Sequence, residues 1–425
     1  MRITVIGAGS TYTPELVEGF SDREDLLNLD EFVLYDIDHE RLQIVGGLAS
    51  RILKKRGFHG KLIFSENLEE AVTGASAVLI QLRVGGQITR LKDETLPNPF
   101  GLIGQETTGP GGFFKALRTV PVLIDIADTV RRLAGPDCWI IDFTNPVGIE
   151  TRALLDAGHK AIGLCNVGIG FQRHIAKIYG VDPDLVRLDH AGLNHLTWIR
   201  SVLVDGQEKL DELLATTDPD VQDLFPVAQA CCQTLHAIPS YYLHYFYETD
   251  HELARQLGGE HRAQRVIEIE HELLEMYKDP ALDHKPALLE ERGGAYYSTA
   301  AAALTVSLLT GDGAHHYINT RNNGTLPGLP DEAVVEVPAL VDMDGPHPVK
   351  IMPLAKEMLG LVQNITAYEE LTIEAALSGD PVIAKRALIA NPLVRQWDKV
   401  DSCFDSMVQA NAPLLPRFAG CCCDD

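Results

Sequence analysis

The stretch VIGAGSTYTPEL, residues 5–16, decides the fold. Apolar residues before Gly7 predict a short strand, and Gly7 and Gly9 fit the first two positions of the G-x-G-x-x-G turn. The first glycine permits a tight turn, and the second lets the backbone approach a pyrophosphate. Where that pattern has its third glycine this chain has Tyr12, so the turn departs from the usual dinucleotide-binding form.

The residues that follow the two glycines suggest why the third is missing. Thr13 is a good N-cap and Pro14 is a good first helical residue, so we expect the helix to begin several residues after the second glycine. Ser10, Thr11 and Tyr12 would then form a longer polar loop beside the nicotinamide or the phosphates.

Strand-like segments alternate with amphipathic helical segments such as 39–54 and 116–134 over the first 170 residues, which predicts a doubly wound parallel sheet. After about residue 170 longer helices and a few strands follow. We therefore predict a Rossmann-like NAD-binding domain over residues 1–168. A C-terminal α+β domain for substrate, metal and oligomerisation would cover 169–425, in a layout similar to lactate and malate dehydrogenases. The predicted strands are 3–6, 31–35, 62–64, 77–82, 139–143 and 161–164.

An acidic residue stands where the second strand ends, as Asp36 in LYDID. Its carboxylate could accept hydrogen bonds from the adenosine ribose hydroxyls, which favours NAD over NADP. The alternative is a glycine turn that binds nothing, but a strand, G-x-G, helix, strand and acid in this order favour binding. The predicted cofactor contacts are Gly7, Gly9, Ser10, Thr11 and Asp36.

The chain length and the net charge limit the number of domains and the kinds of partner that we expect. The chain has 425 residues, which favours two domains. It carries 36 Lys and Arg against 60 Asp and Glu, a net charge of −24, without a basic cluster. Because binding to a phosphate backbone needs a basic face, we expect no nucleic-acid partner. The first residues form a strand rather than a charged segment followed by an apolar one, so we expect a cytoplasmic protein.

The stretch GGAYYSTAAAALTVSLLTG, residues 293–311, is uncharged and nearly long enough to span a membrane. Its Ala, Ser, Thr and Gly make it a weak hydrophobe, so we interpret it as a buried helix or a subunit contact and expect no membrane partner. The eight cysteines show no C-x-x-C pair or disulfide framework, which predicts reduced thiols. We interpret the terminal CCCDD as a loose tail rather than a metal site.

Four further stretches carry polar side chains in patterns typical of a site. DFTNPVGIET follows the fifth strand, where an open α/β sheet places its ligand. Cys165 and His195 belong to two others, and a Cys and a His from different segments can bind one divalent metal. A buried Cys is also a common small hydrophobe, and a lone His is often structural, so the residues alone leave both interpretations open. The stretches are 142–151, 163–170, 190–198 and 238–248.

Several motifs, taken together and in order, resemble glycoside hydrolase family 4. The resemblance runs from residue 1 to about residue 390. The LCNV and YYL forms are most similar to the members that act on 6-phospho-β-glucosides, whereas α-glycosidase members tend to have Asp at the position of Asn166. The motifs are GAGSTYTPEL, RVGG (83–86), GLIGQETTGPGGFFKALRTVP (101–121), FTNP, LCNV, AGLNHLTW, IPSYYLHYFY and NTRNNGTLPGLPDEAVVEVP (319–338).

The resemblance implies a hydrolase that keeps NAD bound as a catalyst, outside the usual two-carboxylate scheme. In this family, NAD takes hydride from sugar C3, and the ketone acidifies the C2 proton. A divalent metal, commonly Mn²⁺, holds the C2 and C3 oxygens. A base removes the C2 proton, the aglycone leaves by elimination, water adds, and hydride returns.

The resemblance also implies roles for individual residues. Cys165 and His195 would bind the metal, and Tyr242 would be the C2 base, with Tyr241 as the alternative if the register slips by one. A tyrosine base needs a lowered pKa, which a metal and cationic side chains could provide. The implied substrate contacts are Asn145 and Asn166 with sugar hydroxyls, Arg262, and Arg90 with the 6-phosphate, Arg83 being the second candidate there.

The resemblance leaves the roles of three positions open. Glu106 is equally compatible with proton transfer near the site and with a loop-stabilising carboxylate. The family usually has Pro where this chain has Gly168, which could loosen the loop that carries Cys165. The family usually has Arg where this chain has His244, which puts the preference for phosphorylated sugars in question.

The expected substrate is a phosphorylated β-glucoside or a cellobiose-type disaccharide, and the expected assembly is a homodimer or homotetramer, with 293–311 as a plausible contact. Another glycoside of the same family, unphosphorylated, α-linked or a uronide, is an alternative. A NAD-dependent hydroxy-acid dehydrogenase is a second, but it explains neither the Cys165 and His195 pair nor the tyrosine cluster. A non-enzymatic NAD sensor on the same scaffold is a third.

Overall fold

Six parallel strands of the first half pair in the order β3-β2-β1-β4-β5-β6, which confirms the predicted doubly wound sheet. The computed structural model describes residues 1–259, 261–293 and 296–420, so the terminal CCCDD lies outside the described residues. Each predicted strand is present within two residues of its expected ends. The strands are β1 (Arg2–Ile6), β2 (Glu31–Tyr35), β3 (Lys61–Ser65), β4 (Ala77–Ile80), β5 (Trp139–Asp142) and β6 (Ala161–Gly163).

The strands are apolar because helices cover both faces of this sheet. Val5 and Leu79 pack in one core cluster with residues of the helices 13–21 and 39–56. Ile6 and Ile80, one residue further along each strand, pack in another cluster with residues of the helix 109–133. The alternation of faces along a strand therefore places apolar residues of these strands against helices on both faces of the sheet.

The helices of the first half follow the strands that they connect. The predicted segments 39–54 and 116–134 correspond to α3 and α6. The helices are α1 (Thr13–Ser21), α2 (Glu24–Leu27), α3 (His39–Arg56), α4 (Leu68–Val72), α5 (Gly86–Thr95), α6 (Gly109–Leu133), α7 (Val147–Asp156) and α8 (Val167–Tyr179).

The first helix begins one residue earlier than the sequence predicted. Tyr12 is the N-cap and Thr13 is already helical, so the expected Thr13 cap is wrong. The Thr13 hydroxyl instead accepts a hydrogen bond of 3.0 Å from the side-chain amide of Gln81, beyond β4. Residues 7–12 form the predicted longer loop.

The second half extends the same sheet with antiparallel strands. β11 pairs with β6 through Asn319 and Gly163, so the sheet continues without a break past residue 168. The division into domains at that residue stays a prediction. The strands are β7 (Val186–Leu193), β8 (Leu196–Val204), β9 (Gln207–Glu208), β10 (Ile238–Pro239), β11 (Ala314–Arg321), β12 (Val334–Asp342) and β13 (Gly345–Pro348).

Helices of the second half cover this extension. The helices α16 to α18 pack against α6, and α16 also against α7, around the largest core cluster. The helices are α9 (Leu210–Ala215), α10 (Gln229–Leu235), α11 (His244–Tyr247), α12 (Thr249–Leu257), α13 (Arg262–Tyr277), α14 (Leu288–Glu291), α15 (Tyr297–Thr310), α16 (Lys356–Ser378), α17 (Pro381–Ala390) and α18 (Trp397–Asn411). Short 3₁₀ helices cover 98–100, 183–185, 219–224, 241–243, 412–414 and 416–418.

The apolar segment 293–311 contains α15, which packs against α1 and buries most of its side chains. The prediction of a buried helix is confirmed. Across the described ranges, no helix has both the length and the apolar character needed to cross a membrane. The described cysteines at 138, 165, 231, 232 and 403 are free thiols, as expected.

Gly168 does not loosen the chain beside Cys165, contrary to our expectation. It lies in the first turn of α8 and is buried. A Cβ atom at this position would come within 2.5 Å of Cγ of Tyr317, whose hydroxyl accepts a hydrogen bond of 3.1 Å from the amide of Leu188. The tyrosine therefore occupies the space that the usual proline would need.

We predict that Gly168→Ala destabilises the protein by about 1–3 kcal/mol, because the added methyl group overpacks a fixed ring. Gly170→Ala on the same helix is the matched control, since no described atom beyond its chain neighbours and its own helix backbone lies within 4 Å of the added Cβ. Its helix propensity should raise stability by up to about 1 kcal/mol. Urea unfolding of both variants measures the difference, and equal midpoints would contradict the role given to Tyr317.

Candidate active site

Two cavities meet at the carboxyl ends of the parallel strands. One, of about 730 Å³, borders the glycine turn after β1. The other, of about 990 Å³, is lined by residues of α5 and α8 from the first half and of α12 and α13 from the second. Arg83, Asn145, Arg292 and Tyr297 line both, so these four residues form a common wall. A ligand in the first cavity can therefore reach a ligand in the second.

The glycine turn is shaped for the close approach of a nucleotide. Gly7 has a φ of +83°, and a Cβ there would lie 2.4 Å from the carbonyl oxygen of Gln81. A Cβ on Gly9 would lie 2.9 Å from a carboxylate oxygen of Asp36. The position of Gly7 therefore requires glycine, and a side chain at Gly9 would displace Asp36. Of the predicted cofactor contacts, Gly7, Gly9, Ser10 and Asp36 line the smaller cavity.

Thr11 is the one predicted cofactor contact that lies away from the smaller cavity. Its side chain is fully buried and does not line the cavity, and its carbonyl oxygen accepts a hydrogen bond of 2.8 Å from the hydroxyl of Tyr277 in α13. Asp36 accepts hydrogen bonds from the amides of Gly9 and Asp38, at 2.7 and 2.9 Å. These bonds fix the carboxylate at the cavity edge, where a ribose would lie.

Glu270 of α13 ties the second half to this turn. Its carboxylate accepts hydrogen bonds from Arg41, Gln87 and Arg292, at 2.9, 2.8 and 2.9 Å. Arg41 also donates to the carbonyl oxygen of Gly9 at 2.6 Å. The guanidinium of Arg292 lies 5.2 Å from the ring centroid of Tyr12, the residue that replaces the third glycine. Tyr12 therefore contributes one of the contacts through which Glu270 and Arg292 hold the loop of residues 7–12 in place.

Asn145 lies at the junction of the two cavities, directly after β5. The amide of Thr144 donates a 3.0 Å hydrogen bond to Asp142, and the Thr144 hydroxyl accepts one of 3.0 Å from the amide of Leu82. The peptide bond between Asn145 and Pro146 is cis. The Asn145 Oδ1 atom is buried and has no hydrogen-bond partner within the described ranges. This loop therefore presents a buried acceptor to both cavities.

Cys165, His195 and Tyr242 lie close to one another, but Cys165 and His195 are buried and line neither cavity, whereas Tyr242 lines the larger one. His195 occupies the two-residue turn between β7 and β8 with a φ of +62°, and its Nδ1 lies 3.0 Å from the hydroxyl of Thr107. Its ring stacks on Tyr242 with centroids 3.5 Å apart. The left-handed backbone of a non-glycine residue is typical of a functional site.

The protonation of these groups follows from burial. Burial lowers the pKa of His195 to about 4, although Glu336 and Glu106 oppose it, so the imidazole is neutral and can act as a ligand. Burial, and next the neighbouring Cys165, raise the pKa of Tyr242 well above its ordinary value. The positive charge of Arg90 lowers the pKa of Tyr242, but this effect is smaller than that of burial. The cationic side chain expected near Tyr242 is present, yet the protein groups alone do not lower this pKa.

Glu336 of β12 supports the two predicted metal ligands. The carboxylate is buried and pairs with His190 Nε2 at 2.8 Å, and the side-chain amides of Asn194 and Asn319 donate to it at 2.9 and 3.3 Å. Asn194 directly precedes His195, so the bond fixes the turn that carries it. Burial and the negative charge of Glu336 raise the pKa of the Cys165 thiol.

Glu106 is surrounded by cations. Arg83, Arg90 at 3.3 Å and Lys115 at 2.7 Å contact its carboxylate. Burial alone would raise the pKa of Glu106, but these charges hold it well below its ordinary value. Burial in turn lowers the pKa of Lys115 to about 8. A carboxyl group that stays ionised cannot donate a proton, so this geometry favours the supporting interpretation of Glu106 over proton donation.

The predicted phosphate contacts differ in how their charge is balanced. Arg90 is buried between Glu106 and Glu94, the latter at 2.8 Å. Arg262, in the first turn of α13, is exposed and donates to the carbonyl oxygen of Glu291. Burial and the charge of Arg90 lower the pKa of Arg262, so these two guanidinium groups face a common space. Both line the larger cavity.

Tyr241, Asn166 and His244 also line the larger cavity. Tyr241, the alternative base, is 41% exposed and stacks on Phe171 with centroids 5.0 Å apart. Tyr242 is the tyrosine that contacts His195, so the geometry favours Tyr242 for the base. The His244 imidazole contacts the carbonyl oxygen of Tyr241, and its Nε2 lies 3.9 Å from Glu252.

Two family models match consecutive parts of the chain. The model "Family 4 glycosyl hydrolase" matches residues 2–181, and the model of the C-terminal domain of that family matches residues 190–394. The chain belongs to the family 4 glycosyl hydrolases. The resemblance found in the sequence is confirmed.

Relatives within family 4 cover nearly the whole chain. A probable 6-phospho-β-glucosidase of Bacillus subtilis is 40% identical over 98% of each chain. The structure of the 6-phospho-β-glucosidase from Thermotoga maritima with manganese, NAD⁺ and glucose-6-phosphate is 36% identical, with a TM-score of 0.87 over 97% of this chain and 99% of that one. A 6-phospho-α-glucosidase from gut microorganisms, in complex with NAD and glucose-6-phosphate, is 26% identical, with a TM-score of 0.90 over 98% and 99%.

The predicted layout is confirmed as well. A lactate dehydrogenase from a deep-sea metagenome library has a TM-score of 0.55 at 14% identity, over 88% of this chain and 98% of that one. This similarity concerns the fold alone.

The residues of this family 4 chain fit a dinucleotide and a divalent metal. The glycine turn leaves no room for a Cβ where a nucleotide would approach. Cys165 and His195 supply sulfur and nitrogen donors, and the buried Oδ1 of Asn145 lacks a partner in the described part of the chain. No group of three or more His, Cys, Asp or Glu within the described ranges could hold a metal, so substrate oxygens or water would complete the coordination.

Sequence reasoning missed several residues of the site. Glu336 carried a signal, since it is the one carboxylate in the apolar segment VVEVPALV, and an unpaired charge inside a strand needs a buried partner. Lys115 carried a similar signal in the apolar helix segment GGFFKAL. Glu270 and Arg292 carried none, because their contacts depend on how α13 packs over the glycine turn.

We predict that Glu270→Gln lowers thermal stability, because two partly buried arginines lose their counter-charge at a cost of about 3 kcal/mol. Burial would raise the pKa of Glu270, but Arg292 and Arg41 lower it from 4.5 to about 2. A depressed carboxyl pKa stabilises the fold above its unfolded value and loses that effect as the pH falls towards the folded value.

The difference in melting temperature between wild type and Glu270→Gln should therefore be constant near pH 7 and shrink below about pH 5. Scanning calorimetry from pH 7 to pH 4 measures it. Glu268→Gln on the exposed face of α13 is the matched control, and its melting temperature should stay at the wild-type value. A pH-independent difference for Glu270→Gln would contradict the ion-pair assignment.

Proposed function

We propose that this chain hydrolyses 6-phospho-β-glucosides with NAD and a divalent metal, commonly Mn²⁺, as cofactors. The reaction would run by oxidation at sugar C3, removal of the C2 proton, elimination of the leaving group, addition of water and re-reduction at C3. When bound, NAD would supply the hydride acceptor and donor, and the metal would polarise the C2 and C3 oxygens.

The common wall of the two cavities carries the proposal. A sugar that contacts Asn145 lies next to a nicotinamide that contacts the same residue from the other side. Tyr242 lines the larger cavity, and Cys165 and His195, buried beside this tyrosine, would supply the metal ligands for elimination chemistry at neighbouring sugar carbons. The T. maritima relative, which contains manganese, NAD⁺ and glucose-6-phosphate, supports the same ligand set for this chain.

Tyr242 would accept the C2 proton. Its hydroxyl group belongs to a buried ring held against His195 at 3.5 Å, so the ring has one orientation. A fixed orientation lowers the entropic cost of proton transfer. Glu106, being ionised, would act by holding Arg83 and Arg90 in place rather than by donating a proton.

Asn145 and Asn166 would hold sugar hydroxyls, since both line the cavity at the strand ends. Arg262 and Arg90 would bind the 6-phosphate. Both guanidinium groups line the larger cavity, and burial, and next the charge of Arg90, lower the pKa of Arg262, so an anion between the two would be attracted by both.

Specific observations disfavour the alternative functions. The β-linked relative is more similar to this chain than the α-linked one, at 36% against 26% identity. A hydroxy-acid dehydrogenase would leave the cationic cavity of 990 Å³ and its tyrosines without a use. The homodimer or homotetramer and the cytoplasmic location stay predictions.

The first experiment combines the protein with NAD⁺, Mn²⁺ and p-nitrophenyl β-glucoside 6-phosphate in D₂O. We expect release of nitrophenol, no net NADH, and deuterium at C2 of the product, because the C2 proton is exchanged before water adds. Tyr242→Phe should lower kcat by about 10²- to 10⁴-fold, the usual contribution of a general base. Tyr179→Phe, whose wild-type hydroxyl donates a hydrogen bond of 3.1 Å to Glu212 on the surface, is the control.

Net formation of NADH would indicate a dehydrogenase and overturn the proposal. Nitrophenol release without deuterium at C2 would remove Tyr242 from its role. Activity on the unphosphorylated glycoside alone would mean that His244 marks a change of specificity.

We predict that Arg262→Gln raises KM for the phosphorylated substrate about tenfold, the usual effect of losing one charge-assisted hydrogen bond. Arg265→Gln is the matched control, because Arg265 lies on the same helix but contacts Glu268 and Glu291 outside the cavity. Steady-state kinetics on both variants measures the effect. An unchanged KM for Arg262→Gln would exclude Arg262 from phosphate binding.

A further inference from the structure

A third cavity, of about 70 Å³, lies at the amino ends of β5 and β6, away from the strand ends that face the two larger cavities. The buried side chains of Cys138 and Ile140 line it. Arg131, near the end of α6, also lines it, as do His159 and Lys160, which directly precede β6. No described residue lines both this cavity and one of the larger ones, so it is a separate place in the fold.

Two positive charges border this third cavity. Arg131 donates a hydrogen bond of 2.9 Å to the carbonyl oxygen of Gly158, and the Lys160 ammonium lies 4.4 Å from the ring centroid of Trp139. Within the described ranges neither side chain has an ion pair, although the protein has 60 acidic residues against 36 basic ones. The cavity is therefore locally basic in a strongly acidic protein, which favours an anion as its ligand.

His159 adds a buried polar group without a partner. The residue is 5% exposed, and neither of its ring nitrogens has a hydrogen-bond partner among the described residues. The Asp128 carboxylate lies 3.3 Å from Nε2, outside hydrogen-bond geometry, and is 68% exposed to solvent. Burial lowers the pKa of His159, although Asp128 opposes this effect, so the imidazole is neutral near pH 7 and has one N–H group to donate. A buried donor of this kind needs a ligand or an ordered water.

The size and the lining of the third cavity limit what it can hold. One water needs about 10–15 Å³ of such space, so a cavity of about 70 Å³ takes a group of a few non-hydrogen atoms and excludes a sugar ring or a nucleotide. Its lining offers a guanidinium, an ammonium and an imidazole, and none of the described residues that line it is acidic. Guanidinium and ammonium groups form their strongest hydrogen bonds with carboxylate and phosphate oxygens.

We propose that the third cavity, bordered by Arg131, His159 and Lys160, is a binding site for a phosphate-sized oxyanion. Ordered water would satisfy the imidazole alone, but an oxyanion also balances the two positive charges. Because the three residues come together only in the folded chain, the bound anion stabilises the fold. The site is independent of the proposed function, since it shares no described residue with the two larger cavities.

The test titrates the full chain with sodium phosphate at constant ionic strength and follows tryptophan fluorescence. Trp139 reports on the site because its ring contacts the Lys160 ammonium. We expect a saturable change in emission that is lost in Trp139→Phe. Arg131→Gln should raise the Kd for phosphate about tenfold, the usual effect of losing one charge-assisted hydrogen bond. His159→Phe, which keeps a buried ring but has no N–H group, should also raise it.

Arg132→Gln is the matched control, because Arg132 is the next residue of α6 but pairs with Glu69 outside the cavity, and it should keep the wild-type Kd. A change that never saturates, or equal losses of affinity in Arg131→Gln and Arg132→Gln, would show general screening of surface charge and overturn the proposal. Loss of the signal in Arg262→Gln would place the phosphate in the larger cavity and overturn it as well.

The same titration with glucose 6-phosphate distinguishes the two sources of the oxyanion. A Kd at the Trp139 signal that is equal to or lower than that of inorganic phosphate would assign the phosphate group of a sugar phosphate, whose ring stays outside the cavity. A higher Kd would assign free phosphate. Both results support an oxyanion site, whereas a response to neither compound overturns it.

Discussion

The buried carboxylate of Glu336 is the interaction on which the site depends. It lies on an antiparallel strand of the second half, and it binds His190 and Asn194 of the segment 190–198 together with Asn319 of β11. A buried charge is stable only when its surroundings supply hydrogen bonds, and these three partners supply them. In return, the charge fixes the turn of His195, and the single pairing of Asn319 with Gly163 places that turn beside Cys165 at the end of β6.

A second buried carboxylate, that of Glu106, organises another part of the lining of the larger cavity. Glu106 draws Arg83, Arg90 and Lys115 together, although these cations would repel one another without it. The two acids therefore have a common role. Each concentrates polar side chains from distant segments at the strand ends, where the chain itself provides only loops. The glycine turn is held in the same manner, because Glu270 joins Arg41, Gln87 and Arg292 around it.

The sequence predicted most of the first half and the identity of the family. The six parallel strands were recognisable because both of their faces are buried, which makes each one a continuous apolar run. The glycine turn and the loops after the fifth and sixth strands were recognisable because parallel strands place their ligand-binding residues at the carboxyl ends.

The sequence did not predict what long-range packing decides. The cap of α1 moved by one residue because the Thr13 hydroxyl contacts Gln81 instead of the helix backbone. Thr11 is buried rather than lining the nucleotide cavity, because α13 covers the loop and binds its carbonyl oxygen. The compact fit of Gly168 depends on Tyr317, nearly 150 residues away in the chain. The roles given to the individual site residues stay predictions.

The unbroken sheet has a consequence for how substrates enter. Many two-domain enzymes open and close a cleft by rotation about a flexible linker. Here such a rotation would break the pairing of β6 with β11. This pairing is part of one continuous sheet that runs from β10 to β3. Access to the two cavities therefore does not depend on a hinge between β6 and β11, and must be controlled by the side chains and loops that line them.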